Sequence, residues 1–417
     1  MAYIILVPCF ELRVLGISFG LNLINLVLLC SFLFQFWRKK IKLDFRTSKP
    51  FLFLFISLFC ISFFADMQSP DIQLNQWRVD IMATCILPFI VWNASINDKR
   101  FLTWIVWTLM ISVLVSGCYA ISIIDLDGLN YYTSYIVNYF GKEYDFAERF
   151  GNSERIRNQG TFSHPFSWVF YLSLMSILIS VFFYTEKKRN IKVFYLLLLV
   201  FIVFNVFIAD VRAALASIII TFQYIYIRYN KLNFKTIFVF IIFVSLVAFF
   251  ITLNDDLTER FLSMIDIGGR KTNITGSSFQ MRLDQFNGCL KEVAHTPLFG
   301  KGYGWTTYYI SKNFTHPVIL AFESLIFVVI CDHGIAGIFI WIIFAFMLFL
   351  IPRNILKTRK KYLVDGLIVF FFAFSLITGL YSYLVNFSLF YVILLAYLYH
   401  IEKKEINTVK KIVKYEK

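Results

Sequence analysis

Apolar runs of membrane-spanning length recur from one end of this chain to the other, and they limit what it can fold into. A helix needs roughly 17 to 25 apolar residues to cross a hydrocarbon layer about 30 Å thick. Because 59% of the residues are hydrophobic, a soluble fold would expose more apolar surface than water tolerates. The sequence predicts an all-α, polytopic helical membrane bundle of about 11–12 spans, forming one domain over residues 1–417. The predicted spans lie near residues 14–37, 50–66, 79–96, 101–124, 161–184, 193–209, 213–229, 236–253, 335–352, 363–384 and 386–400.

The net charge of +14 is concentrated in short clusters between the predicted spans. Basic clusters beside spans mark the cytoplasmic side of a membrane protein. The longer loops at 125–158 and 254–316 are nearly charge-balanced, so we expect them outside, with helices in the second loop. Since membrane orientation explains the basic clusters, no basic face is left to predict a nucleic-acid partner. The basic clusters occupy residues 38–49, 186–192, 353–361 and the cytoplasmic tail, 401–417.

The seven cysteines show no spacing typical of a metal site or a disulfide framework. They are interpreted as small buried apolar side chains. No aspartate-rich metal motif is visible either. The sequence therefore predicts neither a metal site nor a cofactor.

One long apolar run, at residues 193–227, is interrupted only by Asp210 and Arg212. As a single helix it would be roughly 52 Å long, far more than one crossing needs. Two helices joined by a tight turn at 209–212 fit better, and the flanking basic clusters place that turn on the external side. Arg212 then either reaches the lipid headgroups or pairs with Asp210, or it binds an anion in a cavity.

The external loop at 254–316 contains a second arginine on a predicted helix. Apolar residues recur at helical spacing there, which indicates an amphipathic helix with Arg282 beside its apolar face. A glycine-rich turn, "HTPLFGKGYG", follows, but it lacks the serine or threonine of a nucleotide-binding loop. The apolar residues are Met281, Phe286, Cys289, Leu290 and Val293.

A carboxylate is predicted within the apolar stretch that follows this loop. Glu323 would lie inside a helix, where a charge is costly unless it faces a cavity or a cation. His316 opens the same segment, and "DHGIAG" at 332–337 should break the helix.

Four motifs, in this order, resemble the bacterial O-antigen ligase/polymerase family, that is, Wzy-type polymerases and their lipid A-core ligase relatives. The resemblance covers roughly residues 150–345. It implies that Arg157, Arg212 and Arg282 bind a lipid-linked diphosphate. The ligases carry a histidine followed by asparagine where this chain has Glu323 followed by serine, which is more similar to the polymerases. The motifs are "RxxGTFxHP", "DVRAALA", "RLDQFNGCLKE…TPLFGKGYGW" and "ESLIFVVICDHGIAGI".

The resemblance implies a metal-independent glycosyltransferase in the bacterial inner membrane, with its active site facing the periplasm. It would polymerise undecaprenyl-diphosphate-linked repeat units into O-antigen or capsular polysaccharide. Glu323 is the first candidate for the catalytic base and His316 the second. The partners would be the lipid-linked donor and acceptor glycans, membrane lipids and a chain-length regulator. Two alternatives stay open: a ligase that transfers glycan to lipid A-core, and a polysaccharide or lipid transporter.

Overall fold

The computed structural model describes residues 29–30, 32–34, 36–38, 43–123, 158–162, 164–209, 211–230, 279–378 and 383–415. The predicted span at 236–253, most of the one at 14–37, nearly all of the loop at 125–158 and residues 254–278 of the second loop lie outside these ranges.

Helices dominate the described part of the chain, as the apolar runs predict. The amino-terminal helices are α1 (Lys49–Ser62), α2 (Pro70–Ile81), which continues through the π-helical segment Met82–Ile86 into α3 (Leu87–Asn97), α4 (Lys99–Ser122), α5 (Pro165–Thr185), α6 (Arg189–Ile208) and α7 (Arg212–Asn230). The remaining helices are α8 (Phe279–Glu292), α9 (Trp305–Asn313), α10 (Leu325–Ile355), α11 (Lys361–Thr378) and α12 (Tyr383–Tyr415).

Seven helical segments in the described residues are long and apolar enough to cross a membrane, which confirms a polytopic helical membrane protein. Two shorter apolar helices, Lys49–Ser62 and Ala213–Tyr229, accompany them. The seven are Pro70–Asn97, Lys99–Ser122, Pro165–Thr185, Arg189–Ile208, Leu325–Ile355, Lys361–Thr378 and Tyr383–Thr408.

Local signals set several of these helix boundaries. Asp98 caps α4, because its side chain accepts a hydrogen bond from the Arg100 backbone N–H at 2.8 Å. His164 caps α5 in the same way, ahead of Pro165 in the first helical turn. The apolar run at 193–227 is two helices, since α6 ends at Ile208 and α7 begins at Arg212, so that prediction is confirmed.

The chain divides into two compact units. The first comprises Met1–Phe53, Arg78–Thr221 and Phe346–Lys417, and α5 packs at its centre against α6, α11 and α12. The fully buried Asp365 is paired there with Arg353 at 3.0 Å, which offsets the cost of burying a carboxylate.

The second unit comprises Leu54–Trp77 and Phe222–Ala345. It contains α8, α9 and the first part of α10, and every candidate side chain that the structure describes lies in it. That the chain forms a single domain over residues 1–417, with external loops at the stated bounds, stays a prediction.

Candidate functional site

Helix α10 is broken within the second unit, and the glycine-rich turn binds at this break. Gly334 has φ 59° and ψ −153°, so the helix is interrupted where the sequence predicts. An interrupted helix leaves backbone groups without helical partners, and these must find others. Here the N–H of Ile335 donates to the Pro297 carbonyl and that of Ala336 to the Leu298 carbonyl, both at 3.0 Å. The glycine-rich turn therefore supplies hydrogen-bond acceptors for the backbone N–H groups that follow the break.

The same turn also supplies hydrogen-bond donors for the backbone carbonyls that precede the break. The N–H of Lys301 donates to the Cys331 carbonyl at 2.9 Å. The N–H of Gly302 donates to the Asp332 carbonyl at 2.8 Å. This approach requires glycine at 300, because a Cβ there would lie 2.8 Å from the Asp332 carbonyl oxygen. The two glycine motifs, about thirty residues apart in the sequence, form one backbone unit.

The carboxylate of Asp332 fixes the start of α9. Asp332 is fully buried and accepts hydrogen bonds from the backbone N–H of Gly304 at 3.0 Å and of Thr306 at 2.8 Å. Its carboxylate thus takes the place of an N-cap side chain and lies at the positive end of the helix dipole. The break in α10 therefore orients both the turn and the helix after it.

A segment that we call the strap, residues 316–323, runs antiparallel to α8. At one end Arg282 of α8 pairs with Glu323. At the other end Glu292 of α8 pairs with His316. An ion pair at one end and a hydrogen bond at the other therefore hold the strap along one face of the helix.

The middle of the strap approaches α8 closely. A Cβ at Gly288 would lie 3.0 Å from the side chains of both Val318 and Ile319, so a larger residue would push the strap away. Leu320 and Phe322 have positive φ values of 59° and 52°, which turn the strap towards α10. Glu323 follows this turn and precedes the first residue of α10, Leu325. The expectation that Glu323 lies inside the helix is therefore wrong.

Arg282 contacts both Glu323 and Gln285 on this face. Its Nη2 lies 3.2 Å from Oε2 of Glu323, and its Nη1 donates to the Glu323 carbonyl at 3.0 Å. Nη1 also donates to Oε1 of Gln285 at 3.3 Å. Burial lowers the pKa of Arg282, and the Glu323 carboxylate offsets part of that effect. A guanidinium stays charged despite such a shift.

The ion pair of Arg282 and Glu323 is accessible from outside the protein. The two side chains are 24% and 38% exposed, respectively. Beneath them Gln285 is fully buried, and its Nε2 has no hydrogen-bond partner among the described residues. The partly exposed guanidinium of Arg282, the carboxylate of Glu323 and the amide of Gln285 thus lie together.

His316 is buried, and both of its ring nitrogens are engaged. Nδ1 accepts hydrogen bonds from the backbone N–H of Val318 at 3.1 Å and of Ile319 at 3.0 Å. Nε2 lies 3.2 Å from Oε1 of Glu292. These partners assign the neutral tautomer with its proton on Nε2. In this arrangement His316 holds the strap in place.

Glu292 joins His316 to the glycine-rich turn. Its other oxygen accepts a hydrogen bond from Nζ of Lys301 at 2.7 Å. Burial opposes ionisation of Glu292, but the hydrogen bonds from Lys301 and His316 prevail and lower its pKa. The ammonium of Lys301 also lies 4.6 Å from the ring centroid of Trp305.

The structure brings together only part of the predicted site. Arg157 lies outside the described residues. Arg212 begins α7, but its side chain is not described. Of the five predicted residues, Arg282, Glu323 and His316 are placed, all of them on α8 or the strap.

The apolar residues predicted at helical spacing on α8 and just after it do not share one environment. Cys289 and Val293 are buried, whereas Phe286 and Leu290 are exposed. Arg282, Gln285, Cys289 and Glu292 instead turn inwards, at successive spacings of three, four and three residues. This polar periodicity is the signal that could have identified Gln285 and Glu292. No pattern in the sequence identifies Asp332 as the side chain that caps α9.

Within the described residues no group of three or more His, Cys, Asp or Glu side chains could hold a metal ion.

Comparison with known proteins shows that the region around this site is similar to a known family. Residues 197–342 match the family model described as O-Antigen ligase, a range that contains α8, α9, the strap and the break in α10. The match confirms the resemblance to the O-antigen ligase/polymerase family over this region. Arg157 lies outside the matched range. A comparison with curated proteins found no match to the chain.

Proposed function

We propose that this multi-pass membrane protein, which carries the O-antigen ligase family region at residues 197–342, is a polymerase of lipid-linked oligosaccharide repeat units. The family consists of glycosyltransferase-like enzymes that act on polyprenyl-linked glycans. The observation that carries the proposal is the partly exposed ion pair of Arg282 and Glu323, which offers a phosphate-binding group and a base in one place.

The reaction moves a glycan from its lipid diphosphate to a hydroxyl group on the acceptor glycan. The bond between the anomeric carbon and the diphosphate oxygen breaks, and negative charge grows on the departing diphosphate. A new bond forms to the acceptor oxygen, whose proton must pass to a base. An arginine fork suits the leaving group, because it binds two phosphate oxygens at once. A donor positioned in advance for such charge contributes about 3 kcal/mol of transition-state stabilisation.

Binding of the donor would rearrange the ion pair. A diphosphate presents more negative charge to Arg282 than the single carboxylate does, so the guanidinium would exchange one partner for the other. Glu323 would then be free to accept the proton of the acceptor hydroxyl, a role typically worth about a hundredfold or more in rate. The amide of Gln285, beneath Arg282, offers a second donor to the phosphate oxygens.

The other predicted residues complete the proposal. His316 positions the strap that carries Glu323, through its bonds to Glu292 and the strap backbone. Arg157 and Arg212 would add donors for the diphosphate. Guanidinium groups would thereby do what a metal ion does in many sugar transferases. The site would face the periplasm, where the donor and acceptor glycans and a chain-length regulator would meet it.

Polymer formation in a deletion strain tests this function. We expect Arg282→Lys, which keeps the charge and loses the fork, to lower polymer formation about tenfold or more. Glu323→Gln should lower it about a hundredfold. The control is Lys291→Gln, which removes an exposed charge from the same helix and should leave polymer at the wild-type level. Wild-type polymer levels in both site variants, at equal protein abundance, would refute the proposal.

A ligase is the second candidate, because the matching family model is described as O-Antigen ligase. The glycan phenotype of the deletion strain separates the two. Loss of a polymerase leaves a single repeat unit attached to its acceptor, whereas loss of a ligase leaves none attached.

A further inference from the structure

Helix α8 carries an exposed apolar ridge beside its polar inner face. The ridge consists of Leu283, Phe286 and Leu290, which are 40%, 37% and 46% exposed. Their spacing of three and four residues aligns them along the helix. At about 100° per residue, Arg282 lies roughly 75° from the centre of the ridge, and the exposed Asp284 roughly 130° from it on the other side.

The break in α10 indicates the depth at which α8 lies in the membrane. From Gly334 to the end of α10 at Ile355 the helix is roughly 33 Å long, which matches a hydrocarbon layer about 30 Å thick. A hydrocarbon layer that begins at the break would therefore be spanned by this part of the helix. Pro297 and Leu298 bond to α10 at the break, and only four residues separate Pro297 from the last residue of α8, Glu292.

A second contact places α8 near the same level. The side chains of Cys289 on α8 and Cys331 on α10 lie next to each other, and both are buried. Cys331 precedes the break by three residues. The carboxyl-terminal half of α8 therefore lies within a turn or so of the break.

Other exposed apolar side chains occur on segments bound to α8. Leu298 follows α8, Phe314 precedes the strap by two residues, and Val318 lies in the strap. Phe64, also exposed, packs on Phe299 of the glycine-rich turn with ring centroids 5.3 Å apart. An amphipathic helix surrounded by such side chains is typical of a surface that lies in the lipid interface.

We propose that the ridge of Leu283, Phe286 and Leu290 docks into the phospholipid bilayer, at the boundary between headgroups and acyl chains. The bilayer is the occupant because the ridge is tied to a spanning helix where that helix leaves the hydrocarbon. One consequence rests on the proposed function: docking holds Arg282, which flanks the ridge, at the depth where a lipid-linked diphosphate lies.

Photo-crosslinking of the full-length protein in phospholipid vesicles tests the docking. The reactive residue is introduced as Phe286→p-benzoylphenylalanine and, as the matched control, as Asp284→p-benzoylphenylalanine on the polar flank of the same helix. Phospholipid adducts on the peptide are measured by mass spectrometry. We expect about tenfold more adduct at 286 than at 284, because only the ridge would reach acyl chains.

Three outcomes would overturn the proposal: equal adduct at both positions, no lipid adduct at 286, or a crosslink from 286 to a second copy of the chain or to another protein in cells. The experiment needs neither donor nor polymer. Its failure would leave the proposed function in place, and failure of the Arg282→Lys experiment would leave the lipid contact in place.

Discussion

Replacing Gly334 by alanine should disrupt the unit that positions the candidate site. Its backbone, with φ 59° and ψ −153°, occupies a region that essentially only glycine adopts. An added Cβ would also lie 2.5 Å from the Pro297 carbonyl oxygen, which is the acceptor for the Ile335 N–H. The substitution therefore strains the backbone and pushes apart a hydrogen-bonded pair.

The expected cost follows from these two effects. A residue forced into such a conformation costs about 1 to 3 kcal/mol. Loss of the two bonds that Ile335 and Ala336 donate to the turn costs about 1 kcal/mol each. We expect Gly334→Ala to lower the free energy of unfolding by about 3 to 5 kcal/mol.

Unfolding of the purified protein in detergent, followed by far-ultraviolet circular dichroism during denaturant titration, measures this loss. Ile335→Ala is the matched control, since the Ile335 side chain is exposed and its backbone bond is kept. The control should change stability by less than about 1 kcal/mol. If Gly334→Ala is as stable as the control, the break in α10 does not hold the glycine-rich turn in place.

Three further predictions concern Asp332, Glu292 and Gly288 in the second unit. Asp332→Asn should destabilise the protein by about 1 to 3 kcal/mol, because α9 loses a buried charged cap; the same denaturant titration measures this, and an unchanged midpoint would contradict it. The lowered pKa of Glu292 means that its contribution to stability is present above its ordinary pKa of 4.5 and is lost as the pH falls through the folded-state value. Glu292→Gln should therefore remove part of the acid dependence of unfolding, and an unaltered pH profile would show that its bonds to Lys301 and His316 add nothing. Gly288→Val should push the strap from α8 and speed amide hydrogen exchange of residues 318–322, whereas unchanged exchange would mean that the strap tolerates the larger side chain.

Much of the fold could be predicted from the sequence, because its determinants are local. The apolar runs identify the membrane-crossing helices, and the charges at 210 and 212 identify the turn between α6 and α7. The helix that carries Arg282 and the break at Gly334 are also visible in the sequence. Periodicity and glycine content act over a few residues, so neighbouring sequence suffices to reveal them.

The candidate site could be predicted only in outline. The sequence indicates Arg282 and Glu323 one at a time, but nothing in it pairs residues that are about forty positions apart. The inward turn of Gln285 and Glu292, and the exposure of Phe286, depend on where the strap meets α8. Propensity and pattern do not specify such contacts between distant segments.

The sequence by itself determined that this chain crosses a membrane many times and that its charges gather between the crossings. Hydrophobic length is a property of each run, and it acts on each run separately. Only the tertiary structure decided which charge neutralises which. Arg282 meets Glu323 across the contact of α8 with the strap, and the glycine-rich turn inserts at the break in α10, where Gly300 and Gly334 allow two backbones to approach each other.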